Sequence, residues 1–419
     1  MSDSASSDDD ARDGLMYGGG RPMTIEQKLA SQSRYIAAFL DAPTDSLPLW
    51  EPTTVRDDVP AWNDDDVNRL RESRIPATSS SSVPDLGLYS IGHLDRLDPS
   101  FPETLDNFTR GNEHIFLSNA AGTGKTRLLA ETLIHNWGFY FTCCNGSGFS
   151  QYGSLDLADA MSVLRLRPFD ASGLYPRIIL SRRLNAAALG ELRHNQCTAR
   201  RPFLWVLLSR LLLFNEFCAL YEARGIPEAQ ARRKWLLLQL RPKSVTRVDP
   251  FYGMSTTIRD LHLDDDDLLS RIASAMPACQ DRITFVAIDE AQVPQTRFET
   301  SFATANPYRL QHAPLLRELI KCFGEHLPQK RFIISSHRLD LPLVEEALSA
   351  AHARTNDVRH FYALGSVETV EKASSYIRHF LPEASDDDCR FIFAWTRGRC
   401  VLQVRDSIQR SICLPDIDS

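Results

Sequence analysis

Few features of this chain would fasten it to a metal, a membrane or a polyanion. Nine cysteines stand in 419 residues, an odd number, and no two have the C-x-x-C spacing. Cys143 and Cys144 are adjacent, and no histidine cluster stands beside a cysteine at zinc-ligand spacing. Reduced thiols in an intracellular protein are the expectation, rather than a disulfide framework or a zinc site. Positive charge is also short, with a formal net charge of −7. That excludes a global electrostatic grip on nucleic acid or acidic lipid, although not a local basic patch. The N-terminus MSDSASSDDDARDG has neither a basic start nor an apolar core, so no secretory signal is read there. The most apolar run, Phe203 to Tyr221, is broken by Arg210, Asn215 and Glu216. A charge near the middle of a membrane span is costly, so this run reads as a buried helix and no membrane partner is expected. Cytoplasm or nucleus is the expected location. No internal repeat occurs. No N-K-x-D or T-K-x-D motif specifies guanine, and no D…E-x-K nuclease set is present, Glu318 and Lys321 having the wrong spacing.

What is present is ordinary for a globular protein, with 43 % hydrophobic and 24 % charged residues. Residues 1–22 read as an acidic disordered tail, rich in Ser and Asp and then Gly. Residues 23–90 read as one helix, Thr24 to Leu40, followed by a Pro-, Ser- and Asp-rich linker that docks Trp50 and Trp62. Runs of aspartate recur at Asp8–Asp10, Asp64–Asp66, Asp264–Asp267 and Asp386–Asp388. The last two precede helical patterns, so they read as N-caps and first-turn acids rather than a metal site. From about Ile91 the pattern is that of a folded core extending to 365. Short apolar strands are expected at His114–Ser118, Phe139–Cys143, Thr284–Ile288, Arg331–Ser335 and His360–Leu364. Helical patterns separate them, which implies an α/β fold whose parallel sheet is sandwiched by helices. A large helical insertion is expected at about 155–276, and a helical lid over 366–419.

The chemistry starts at FLSNAAGTGKT, where a strand runs into a glycine loop and then a helix begins near Lys125. Phosphate binding needs backbone N–H groups converging on one point at the positive end of a helix. Asn119, Ala120, Ala121, Gly122, Thr123 and Gly124 form the expected cradle, with Lys125, Thr126 and Arg127 opening the helix. Gly122 and Gly124 permit a tight backbone. Lys125 supplies a cation to the β and γ phosphates, and Thr126 a hydroxyl to Mg²⁺. The pattern G-x-x-x-x-G-K-[ST] wants glycine where Asn119 stands. Asparagine tolerates a positive φ better than other residues and can bond its own backbone, so the departure is mild.

A second motif, FVAIDEAQ from Phe285 to Gln292, ends an apolar strand in adjacent acids. Ligands of parallel sheets sit at that end of the strands. Asp289 is read as the Mg²⁺ acid and Glu290 as the group that polarises an attacking water. RFIISSH, Arg331 to His337, offers Ser335 or Ser336 as a hydrogen-bonding sensor between the two motifs. WTRGRCVLQV, Trp395 to Val404, offers Arg397 or Arg399 to balance γ-phosphate charge. Arg359 is a candidate arginine finger for a neighbouring subunit, which would make the protein a homo-oligomer. The pairs Arg182-Arg183 and Arg200-Arg201 and the triplet Arg232-Arg233-Lys234 are the only pointers to nucleic acid. Adenine is the expected base by elimination, so the cofactors are ATP and Mg²⁺.

Together the NAAGTGKT loop, the FVAIDEAQ and FIISSH strands and the late TRGR resemble the ATPase module of Crinkler-type and retrotransposon-hot-spot-type proteins, especially fungal members. The phrases NWGFYFT, GSLDLADAM and PFLWVLLSRLLLF also look alike, and the resemblance spans roughly Leu97 to Ile412. It implies a P-loop NTPase of the additional-strand class, related to the AAA+ and STAND groups, with a C-terminal lid. It further implies Lys125 and Thr126 as the loop pair, Asp289 and Glu290 as the second-motif acids, and Arg399 as the lid arginine. Members often carry a nuclease-like or kinase-like effector domain or an LFLAK-type secretion header, and neither is read here. Hydrolysis of ATP coupled to a conformational change is the implied activity. A nucleotide-held switch or scaffold and a nucleic-acid motor are the alternatives.

Overall fold

The computed structural model describes residues 23–43, 47–51, 64–77, 84–96, 98–120, 122–144, 152–168, 186–303, 312–337, 341–351, 358–362, 369–380 and 382–396. Seven strands are formed by these residues: β1 (His114–Ser118), β2 (Gly138–Thr142), β3 (Phe285–Asp289), β4 (Phe302–Ala303), β5 (His312–Ala313), β6 (Arg331–Ser336) and β7 (Val358–Phe361). Helices α1 (Ile25–Asp41), α2 (Asp64–Glu72) and α3 (Phe101–Thr109) precede β1, and α4 (Lys125–His135) follows it. Between β2 and β3 come α5 (Asp156–Ser162), α6 (Ala186–Ala223), α7 (Glu228–Leu240), α8 (Pro242–Thr246), α9 (Pro250–Asp260), α10 (Asp265–Ala275) and α11 (Pro277–Gln280). The rest are α12 (Gln292–Gln295), α13 (Leu315–His326), α14 (Leu341–Ala351), α15 (Val370–Phe380) and α16 (Asp386–Thr396).

Five strands make one parallel sheet in the order β2-β3-β6-β1-β7, while β4 and β5 form a separate antiparallel pair. The strand β6 therefore lies between the loop strand β1 and the acid strand β3. The register sets Ser118 opposite Ser336 and Thr142 opposite Asp289, which aligns the carboxyl ends of the strands. Strands β2, β3 and β6 are buried along their whole length, as expected where helices cover both faces. Alternation along the strands sorts the core. Phe116, Phe139, Phe141, Ile288 and Ile334 face the cluster shared with α1, α6, α9 and α13. Ile115, Tyr140, Ala287 and Ile333 face the cluster shared with α4 and the end of α7. The last strand begins earlier than its pattern suggests, because Val358 already pairs with His114.

The apolar run lies within α6, which is long and apolar enough to cross a membrane by length and composition. Yet 67 % of its most apolar window is buried inside the protein, and its charge is answered internally. Arg210 is fully buried, bonds both oxygens of Asp156 at 2.9 Å and lies 3.9 Å from the Phe251 ring centroid. The N-terminal helix is not an appendage. Ile25, Ile36, Phe39 and Leu40 of α1 are part of the main core, and buried Lys234 donates to Phe39 O and Ala42 O at 2.8 and 2.6 Å. Trp50 is buried, whereas Trp62 and Asp8–Asp10 lie outside the described residues or side chains. The turn at 84–92 also joins the core, through Leu88 and Ile91, so the boundary expected near 91 falls inside a packed segment.

Two aspartate runs act at helix starts. Asp264 caps α10, its side chain accepting from Asp267 N at 2.8 Å. At α16 the cap is Ser385, and Asp388 answers it reciprocally while Asp386–Asp388 form the first turn. The basic pairs are engaged within the chain. Arg200 meets Glu325 at 3.2 Å, Arg201 meets Asp265 at 3.4 Å, Arg232 meets Glu228 at 2.7 Å, and Arg233 donates to Ile91 O. Arg182-Arg183 lie outside the described residues. The segment expected to form a lid is represented by α15 and α16, which pack around Ala373, Ile377, Cys389 and Ile392. Tyr89 OH stands 2.9 Å from His379 Nε2 and ties this pair of helices to the 84–92 turn.

Candidate functional site

The loop after β1 turns tightly because Gly122 and Gly124 take left-handed φ values of 80° and 92°. A side chain at Gly124 would be strained by that φ, although nothing lies within 4 Å of where its Cβ would sit. Gly124 is also the N-cap of α4, so the free N–H groups of the helix's first turn open onto the loop. Asn119 does not have a positive φ. The tolerance of a positive φ is therefore not called on, whereas the expected bond from the side chain to the local backbone is made. Its side chain matters instead: Oδ1 accepts from Ala120 N at 2.8 Å, and Nδ2 donates to Tyr362 O at 3.0 Å. Asn119 thus tethers the loop to the end of β7. Thr123 Oγ1 donates to Ala120 O at 2.9 Å and closes the turn. Ala121 lies outside the described residues.

Lys125 is 7 % exposed, and its ammonium fills the loop by donating to Asn119 O and Ala120 O at 2.8 and 2.7 Å. Burial lowers its pKa, while the charges of Asp289 and Glu290 act the other way. Thr126, next on α4, donates to Asp289 Oδ2 at 2.7 Å, a contact between residues 163 apart in sequence. The loop and the acid motif therefore meet at the carboxyl edge of the sheet. Arg127 does not join them. Its guanidinium bonds Glu131 at 2.7 Å and donates to Gly87 O and Tyr89 O at 2.9 and 2.7 Å, so its side chain is turned to the 84–92 segment. Only its backbone remains at the helix start.

Asp289 is 2 % exposed and richly bonded. Oδ1 accepts from Glu290 N at 3.0 Å, and Oδ2 accepts from Tyr140 OH at 3.0 Å as well as from Thr126. Tyr140 is fully buried on β2, and burial together with the Asp289 charge raises its pKa well above the usual phenol value. It therefore acts as a neutral donor. Glu290 has a φ of 56°, a strained conformation for a long side chain. The reversal carries its carboxylate toward β6. There Gln292 Nε2 donates to Glu290 Oε2, and Ser336 Oγ donates to Gln292 Oε1 at 2.9 Å. His337 Nδ1 stands 3.9 Å from the same carboxylate oxygen.

The two serines of β6 differ. Ser336 serves the Gln292 bridge. Ser335, which pairs with Leu117 of β1, is fully buried, and its hydroxyl lacks a partner among the described residues. It lies in the strand between the loop strand and the acid strand. Arg397 and Arg399 lie outside the described residues. Arg359 is engaged elsewhere: it donates to Asn107 O and Phe108 O at 2.7 and 2.5 Å and caps the end of α3. Two open clefts, of about 610 and 430 Å³, lie away from the loop and include none of these residues.

Tyr140 and Gln292 are the contributors that sequence reasoning passed over. Both stand inside the quoted phrases NWGFYFT and FVAIDEAQ, but neither type signals a role without knowledge of which strands are neighbours. Comparisons with protein-family models, curated proteins and solved structures return no match. The functional reading therefore rests on this geometry.

Proposed function

We propose that this chain is a Mg²⁺-dependent ATPase of the P-loop, additional-strand class, of the kind its motifs resemble. The observation that carries the reading is the 2.7 Å hydrogen bond from Thr126 to Asp289, which joins the glycine loop to the acid motif. A strand between β1 and β3 supports the class assignment. The donor set fits the ligands: glycine-shaped backbone N–H groups for phosphate, and hydroxyl and carboxylate oxygens for Mg²⁺. Thr126 and Asp289 would hold the ion, which supplies positive charge to the β and γ phosphate oxygens. Lys125 leaves the loop carbonyls and neutralises the same phosphates. Gln292 keeps Glu290 Oε2 occupied, so Oε1 takes the proton of the attacking water. As the water oxygen bonds the γ phosphorus, the bond to the β–γ bridging oxygen breaks. Ser335 supplies a hydroxyl to the water or the γ phosphate. Arg399 is kept as the lid arginine. Adenine is assigned by the absence of a guanine motif.

The test is direct. Lys125→Ala should abolish ATP binding measured by calorimetry, and Glu290→Gln should bind ATP yet lose turnover. ATP binding by Lys125→Ala at wild-type affinity sinks the proposal, and turnover by Glu290→Gln at the wild-type rate sinks the role of Glu290. A second reading, a nucleotide-held switch with little turnover, is favoured by the Gln292 bridge, which engages one oxygen of the Glu290 carboxylate and draws on its basicity. Steady-state assays with and without DNA or RNA separate it from the first.

A further inference from the structure

We propose that Tyr362 is the platform on which the base of the bound nucleotide stacks, an inference that rests on the phosphate-loop reading above. The order of the sheet sets the direction of the ligand. Asp289 and Glu290 end β3, which lies on one side of β1 beyond β6. The reacting end of a polyphosphate in the loop therefore points toward β3. The remainder of the ligand leaves on the other side of β1, where the neighbour is β7. Tyr362 is the residue that follows β7 at its carboxyl end.

Tyr362 is 59 % exposed, the most exposed large hydrophobic residue among those described. It is nevertheless fixed in place. Its carbonyl accepts from Asn119 Nδ2 at 3.0 Å, so the residue is tied to the first position of the loop. Its hydroxyl stands 2.7 Å from His360 Nδ1, and the His360 ring packs edge-on against Phe116 of β1 at 5.4 Å. An aromatic ring held at both ends, exposed and attached to the phosphate loop has the properties of a stacking surface that loses little entropy on binding. This also explains Asn119, since glycine at that position could not hold the end of β7.

The variant is clean because Asn119 bonds the main chain of Tyr362, so Tyr362→Ala leaves the loop tether intact. Binding of a non-hydrolysable ATP analogue and of inorganic tripolyphosphate, both with Mg²⁺, would be measured by calorimetry for wild type, Tyr362→Ala and Tyr362→Phe. Tyr362→Ala is expected to weaken the analogue about 5- to 150-fold, the range provided by one base–aromatic stack. Tripolyphosphate binding should change less than about twofold, and Tyr362→Phe, which keeps the ring but loses the bond to His360, should weaken the analogue less than Tyr362→Ala does. Equal losses for both ligands, or no loss for either, would overturn the stacking role and leave the phosphate site standing. A wild-type protein that binds neither ligand would overturn the phosphate-loop reading itself, and this inference with it.

Discussion

Replacing Asp156 with asparagine tests how α5 and α6 of the helical insertion are held together. Asp156 and Arg210 both have fully buried side chains and share two hydrogen bonds of 2.9 Å. The substitution preserves shape but leaves a guanidinium inside the core without its counter-charge. Breaking a buried ion pair from one side costs about 3–5 kcal/mol. Two features pull the expected value toward the lower end. The Phe251 and Phe141 rings, at 3.9 and 4.8 Å, still solvate the cation. Asp249 is close enough for the Arg210 charge to act on its carboxyl, although burial and the Asp156 charge raise that pKa overall. A loss of about 3 kcal/mol is therefore expected for Asp156→Asn. Removing both charges, as Asp156→Leu with Arg210→Met, should restore stability to within about 1 kcal/mol of wild type, because no uncompensated ion remains. Urea unfolding followed by tryptophan fluorescence would report both, with Trp235 and Trp137 in the same core. A single-variant loss below about 1 kcal/mol, or a double variant worse than the single, would refute the claim that the pair is a buried, mutually dependent unit.

Three further expectations follow from the same geometry. Tyr140→Phe removes one of the two donors to Asp289 Oδ2 without changing packing. A hydrogen bond to a charged group is worth about 1.5–3 kcal/mol, so the Mg²⁺ concentration needed to raise the melting temperature with nucleotide should increase about tenfold or more, while metal-free nucleotide binding stays unchanged. An unaltered Mg²⁺ titration would remove Tyr140 from the site. Burial, with help from Arg200, lowers the pKa of His326 below the usual imidazole value. The unfolded chain then binds a proton first as pH falls, so stability should drop as pH falls through the ordinary histidine range toward the folded pKa; His326→Gln should flatten that slope in urea midpoints measured from pH 7.5 to 5. Among the described cysteines, exposed Cys197 should alkylate fast, while buried Cys279, its thiol pushed up to about 12, and Cys322, raised further, should stay unmodified until unfolding. Peptide mass spectrometry after brief labelling reads both.

Much of the site was legible along the chain because its parts are local. A glycine loop between a strand and a helix is a requirement of adjacent backbone, and Gly122, Gly124, Lys125 and Thr126 stand where that requirement puts them. Apolar runs ending in acids or serines likewise announce strands with polar carboxyl ends, as β3 and β6 are. The side-chain partners of Arg127 and Arg359 were not legible, for the opposite reason. An arginine reaches far, and its partner is chosen by whichever carbonyl or carboxylate the fold brings near: Gly87 O for one, Asn107 O for the other.

By itself the sequence determined the alternation of strands and helices, the turn chemistry of the loop and the acids that end β3, since each is governed by neighbours a few residues away. Only the tertiary structure decided that β6 separates β1 from β3, that Tyr140 donates to an acid 149 residues away, and that Asn119 reaches Tyr362 across 243 residues. Strand order is settled by how whole layers bury their faces, and a hydrogen bond forms only between groups that packing has already brought within about 3 Å.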